Sequence, residues 1–80
     1  MNTAPEAAEM TLEEAVWVDA DRVGGVPCFR GTRVPVQNLW DYVRGGHMVA
    51  EFRIDFPSVR PEHIDTVLLD AERAQAASLG

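Results

Sequence analysis

Apolar residues recur at helical spacing in two stretches of the chain. Val36, Leu39, Trp40 and Val43 fall at i, i+3, i+4 and i+7, as do Ile64, Val67, Leu68 and Ala71; each stripe predicts an amphipathic helix. Pro35 suits the first turn of the earlier helix, and Gly45-Gly46 suits its C-terminal cap. Pro61 opens the later helix, with Glu62 near its positive end. Between them, Val49, Phe52 and Phe56 mark a shorter helix over 49–54. Met48 offers no Ser, Thr, Asp or Asn to cap its start. Asp55-Phe56-Pro57-Ser58 reads as a turn, because Pro57 disfavours helix in the residue before it. Beyond Ala71 the sequence stays helix-prone with little left to bury, so it frays or packs on a partner.

The first third follows a different pattern. Residues 1–10 are rich in Ala and Glu and read as a tail. Thr11 with Glu14 has the spacing of a capping box. The β-formers Val16, Trp17 and Val18 follow so closely that a direct run into a strand is the favoured reading. Residues 19–25 (DADRVGG) are turn-rich, and Val26 to Phe29 resumes an apolar run across Pro27. This predicts a β-ribbon, with Pro27 confined to an edge or a strand start. The predicted architecture is therefore mainly α: a three-helix, helix-turn-helix domain preceded by a short β-ribbon. Residues 1–14 form a tail and 15–80 a single domain.

The chain has 80 residues, 46% of them hydrophobic and 25% charged, as in an ordinary globule. A domain near this size buries only about 60% of its unfolded surface, which makes a homodimer attractive, with the ribbon from Trp17 to Phe29 at the interface. No apolar run reaches the roughly 18 residues of a membrane span. A single cysteine, Cys28, reads as a free thiol in a cytoplasmic protein. Cys28, His47 and His63 lack metal-ligand spacing, so neither metal nor cofactor is expected.

Net charge is −6, unevenly spread. Residues 1–21 carry Glu6, Glu9, Glu13, Glu14, Asp19 and Asp21 and no base. The middle of the chain holds Arg22, Arg30, Arg33, Arg44, Arg53 and Arg60 and is net basic. Residues 61–80 are acidic again, with Arg73 alone against Glu62, Asp65, Asp70 and Glu72. Every basic residue is arginine, whose forked donors suit phosphate and carboxylate alike.

The stretch from Val23 to Val36, VGGVPCFRGTRVPV, resembles the signature of domain-of-unknown-function family 433. That pattern is a Gly-Gly-x-Pro run, then Gly-Thr-Arg-Val-Pro-Val, then a helix ending in Gly. A second helix, a Phe-Pro turn and a last helix follow. Here Gly25, Pro27, Gly31, Thr32, Arg33, Pro35 and Val36 match, as do Gly46, Phe52, Asp55, Phe56, Pro57 and Val59 further on. The likeness covers roughly residues 17–72. Three positions depart from it: Met48 and Arg60 stand where Ser or Thr caps are usual, and Arg53 where an apolar residue is usual. The resemblance implies a winged-helix-like or homeodomain-like DNA-binding fold and an antitoxin similar to the VapB type. The implied partner is a PIN-like ribonuclease toxin, with promoter DNA as a second target.

Several residues have two readings. Gly31, Thr32 and Arg33, with Trp17, are candidates for a partner contact. The bland reading is favoured: Gly31 allows a tight turn, Thr32 ties the backbone through its hydroxyl, and Arg33 pairs with an acid of the same domain. Cys28 reads as a buried thiol rather than a nucleophile. His47 and His63 read as exposed, and Trp40 as core. No enzyme is expected, since neither converging polar groups nor a small-molecule pocket is evident. The last helix is acidic and suits phosphate poorly, so Arg44, Arg53 and Arg60 are the candidates for DNA contact. The expected function is an antitoxin that neutralises its toxin by binding and contacts operator DNA. The alternative is a protein-interaction module without DNA binding.

Overall fold

The computed structural model describes residues 10–18 and 23–79. Among the described residues it is mainly helical, with four helices and one two-stranded ribbon. In chain order these are α1 (Leu12–Ala15), β1 (Val16–Trp17), a 3₁₀ turn (Val23–Gly25), β2 (Cys28–Phe29), α2 (Val36–Arg44), α3 (Val49–Asp55) and α4 (Pro61–Leu79).

The chain's start corrects the expectation of a direct run into a strand. Thr11 caps a real helical turn: its Oγ1 accepts from the Glu14 N–H at 3.3 Å, and Glu14 Oε1 accepts from the Thr11 N–H at 2.9 Å. Two orphan donors are satisfied reciprocally, which suffices for a four-residue helix that also packs on α4. The strand begins at the next residue. α1 therefore lies across the boundary drawn between tail and domain at residue 14.

β1 and β2 pair antiparallel, Val16 opposite Phe29 and Trp17 opposite Cys28. Pro27 precedes β2, where its missing N–H costs the ladder nothing. Its carbonyl accepts from the Val36 N–H at 3.0 Å and so fixes where α2 begins. Pro35 stands at the N-cap of α2, one residue ahead of the expected position.

α2 ends in a complete Schellman motif. Gly46 has φ +87°, the Gly46 N–H bonds Val43 O, and the His47 N–H bonds Tyr42 O. α3 starts without a side-chain cap from Met48, as its sequence foretold, but Glu51 Oε1 reaches back to the Met48 N–H at 2.8 Å. That supplies half of a capping box. α4 runs far past Ala71 as unbroken helix, and its side chains from Glu72 to Ala77 are exposed.

The core gathers Phe29, Leu39, Phe52, Val59, Ile64 and Val67, with Phe29, Leu39, Phe52 and Ile64 fully buried. Each is worth about 1.5–3 kcal/mol in transfer from water. Phe52 is the hub of an aromatic cluster, with ring centroids 4.7 Å from Phe56, 5.3 Å from Tyr42 and 5.8 Å from Phe29. Two expectations change here. Val43 is 45% exposed and leaves the core stripe, and Trp40 is only half-buried, flanking the core rather than filling it. The stripe on α2 is tilted, so Leu39 points at the centre and its outer members lie at the margin.

Candidate functional site

The Gly31-Thr32-Arg33 loop joins β2 to α2 and is densely tied. Gly31 sits at φ +80°, a conformation L-residues seldom adopt. The Thr32 hydroxyl donates to Phe29 O at 2.8 Å and accepts from the Val34 N–H at 3.0 Å. The Trp17 indole N–H donates to Thr32 O at 3.0 Å. Phe29 N–H closes the loop on Val34 O. Trp17, Gly31 and Thr32 are therefore brought together, and the Trp17 indole and the Thr32 hydroxyl are engaged within the chain. Arg33 is exposed, and no acid pairs with it among the described residues, contrary to expectation.

Arg30, which the sequence did not single out, does the anchoring instead. Its Nη2 donates to Glu13 O at 2.7 Å and to Val16 O at 3.4 Å, and its guanidinium lies 5.9 Å from the Trp17 ring centroid. It thus caps the C-terminus of α1 and holds the ribbon to it. No local pattern announces this contact, because Arg30 and Glu13 are seventeen residues apart.

The three candidate DNA arginines differ in their surroundings. Arg53 Nη2 lies 2.8 Å from Asp65 Oδ1 and bridges α3 to α4. Arg60 Nη2 lies 3.0 Å from Glu62 Oε2 at the start of α4. Of the three positions that depart from the family pattern, the two arginines each pair with a carboxylate on α4. Arg60 in turn helps hold the Glu62 carboxyl below its ordinary value, second to backbone hydrogen bonding. Arg44, at the C-terminus of α2, is exposed and has no ion-pair partner among the described residues. A phosphate would meet Arg44 directly but would compete with Asp65 and Glu62 for the other two.

Cys28 is buried and free, as expected of an inert thiol, its Sγ 3.6 Å from Val26 O. His47 is exposed beside Glu51, with Nδ1 3.2 Å from Glu51 Oε1, and its ring stacks at 5.2 Å on Tyr42. Tyr42 itself donates to Asp55 Oδ2 at 2.6 Å. That hydrogen bond, the largest cause, raises the phenol above its usual value. Among the described residues no group of His, Cys, Asp and Glu could hold a metal ion. No helix there is long and apolar enough to cross a membrane.

His63 corrects its expected exposure. It is 5% exposed in the first turn of α4, and its Nδ1 has no hydrogen-bond partner among the described residues. Burial, the largest cause, depresses its pKa, and the positive charges of Arg60 and Arg30 push the same way. The apolar stripe hid this, because His63 adjoins Ile64 on the face that α4 turns inward. A depressed folded pKa means that the unfolded chain takes up the proton first. Stability is therefore complete above the unfolded value of about 6.5 and falls as pH drops through it. We expect the melting temperature to fall between about pH 7.5 and pH 5.5, a window that brackets the histidine, and His63→Leu to flatten that slope. An unchanged slope in the variant would show that His63 is not its source.

An apolar groove lies on the side where the ribbon, α2 and α4 meet. It has a volume of about 770 Å³, and its walls include Val18, Val26, Val36, Trp40 and Val67. With the tied loop and the arginines, it completes the features that a function must use. Residues 16–69, from the first strand well into α4, match the family described as protein of unknown function (DUF433). The chain belongs to that family. The match covers the ribbon, the Gly-Thr-Arg loop, both central helices and the buried part of α4, so the shared pattern is largely that of the core and its loop. No curated protein and no solved structure matches the chain.

Proposed function

We propose that this member of DUF433 is an antitoxin that neutralises a PIN-like ribonuclease in the cytoplasm by binding, with operator DNA as a secondary contact. The observation that carries the reading is the division of its surface. Carboxylates dominate α4, two of the three candidate DNA arginines are already paired, and an apolar groove stands open. An acidic chain of net charge −6 suits a basic nuclease. The Gly-Thr-Arg-Val-Pro-Val stretch resembles the family signature, and the antitoxin role that this resemblance implies supports the same partner. Within this reading α3, the turn at 56–60 and α4 act as a helix-turn-helix of winged-helix or homeodomain-like kind. Self-association through the ribbon is part of the proposal only in reduced form, because Cys28 and Phe29 are buried within the protomer.

The test is first whether a PIN-like nuclease gene lies beside this one, and then co-expression with it, read as rescue of growth. A parallel gel-shift assay uses the chain's own promoter DNA. Rescue by the parent is expected, along with a weak, salt-sensitive shift. Arg44→Ala is expected to weaken the shift more than Arg53→Ala or Arg60→Ala, lowering the salt slope by about one. Rescue with no shift at any salt would favour the second reading, an interaction module without DNA binding. The paired state of Arg53 and Arg60 favours that reading. Failure of the parent to rescue growth would reject the antitoxin role.

A further inference from the structure

We infer that the apolar groove between the ribbon, α2 and α4 receives an amphipathic helix of a partner protein, one whose apolar anchors are flanked by lysine or arginine. The walls call for apolar anchors. Val18 is 60% exposed, Val26 41% and Leu12 40%, and all three border the groove beside the half-buried Trp40. Scattered apolar side chains on a surface mean little, but a concave cluster of valines and an indole is where a helix-in-groove contact forms.

Charge selects the occupant. Asp70 is the only charged side chain among the groove's described lining residues, and it has no ion-pair partner among the described residues. α1, which contributes Leu12 to the wall, exposes Glu13 and Glu14. Arg73 borders a smaller neighbouring cavity and not the groove. A second copy docked groove to groove would set Asp70 against Asp70 across a two-fold axis. The chain's own residues 1–9 carry Glu6 and Glu9 and no base, so they share the rim's sign. A basic amphipathic helix satisfies both the walls and the rim.

This inference rests on the antitoxin reading only in naming the nuclease as the source of the helix; the groove itself is tested without it. The probe is a synthetic amphipathic peptide of about four helical turns, with Leu at i, i+3, i+4 and i+7 and lysines on either side. A control peptide replaces each lysine by glutamate. Binding to the full chain is followed by fluorescence polarisation. The lysine peptide is expected to bind about tenfold or more tightly than the control. Val18→Asp and Val26→Asp, both at exposed positions, should each abolish most of that binding while leaving thermal melting in place. Asp70→Lys should reverse the preference between the peptides.

Equal binding of both peptides, or binding that survives Val18→Asp with Val26→Asp, would overturn the proposal. So would loss of a homodimer in the double variant without loss of peptide binding, because the groove would then belong to the second copy. Growth rescue separates the two ideas. If the double variant still neutralises the nuclease, the groove assignment falls and the antitoxin reading stands. If the parent never rescues growth but the peptide preference holds, the groove stands and the antitoxin reading falls.

Discussion

Phe52→Ala is expected to cost the protein most of its stability. Phe52 is fully buried, and three aromatic rings surround it within 5.8 Å. Truncating a buried aromatic side chain costs about 3–5 kcal/mol, part transfer and part cavity. The rings around the void are stiff, and their backbones belong to β2, α2 and the C-cap of α3, so the site collapses poorly. Whole domains are stable by only about 5–15 kcal/mol, and one this small sits low in that range. At about 4 °C per kcal/mol, the melting temperature should fall by at least ~12 °C. Phe52→Leu, which refills most of the volume, should recover much of the loss. Trp40→Ala should cost less than Phe52→Ala despite the larger side chain, because Trp40 is half-buried at the groove wall. A Phe52→Ala protein melting within about 4 °C of the parent would show that the aromatic cluster does not hold the fold.

That ranking could not be reached from periodicity. The stripe on α2 was plain in the sequence, and α2, α3 and α4 stand where their apolar residues, prolines and glycines put them. Periodicity gives a face but not the direction of its centre. It therefore weighted Trp40 by size and left Leu39 as one member of four, although Leu39 is the residue that is fully buried. Long-range polar contacts were hidden for a related reason. Arg30 on Glu13 O, Trp17 on Thr32 O and Tyr42 on Asp55 join segments more than ten residues apart, and no local rule pairs them. Arg53 and Arg60 looked like free positive charge because their carboxylates, Asp65 and Glu62, were counted only as an acidic α4. His63 was missed because polar identity was taken to mean exposure. The capping box at Thr11 was visible, but the adjacent β-formers were allowed to outweigh it.

In the Gly-Thr-Arg loop the sequence reading holds for Gly31 and Thr32 and fails for Arg33, and the loop yields the second large effect. Thr32→Val keeps the shape of the side chain and removes the hydroxyl. Phe29 O loses one of its two donors, though the Thr32 N–H still reaches it at 3.0 Å, and the Val34 N–H loses its acceptor altogether. A buried donor left unsatisfied costs about 1–3 kcal/mol, and the part-buried Val34 N–H, in the segment that fixes β2 to α2, falls at the lower end of that range. At roughly 4–8 °C per kcal/mol the loss is readily seen in thermal melting. Thr32→Ser retains the hydroxyl and should melt close to the parent. Gly31→Ala adds a methyl group that meets nothing within 4 Å, so its cost comes from the backbone at φ +80° alone, about 1–2 kcal/mol. Arg33→Ala, at an exposed position with no ion-pair partner among the described residues, should fall within about 0.5 kcal/mol of the parent. The motif then divides physically. Gly31 and Thr32 build the turn, while Arg33 is carried on it and contributes nothing to its stability. Within the proposed function, Arg33 is the residue of this loop left to make a partner or phosphate contact. Arg33→Ala should therefore weaken neutralisation or the DNA shift while leaving melting unchanged. If Arg33→Ala instead melts several degrees low, with growth rescue and DNA shift intact, the arginine is part of the scaffold and the loop has no outward role.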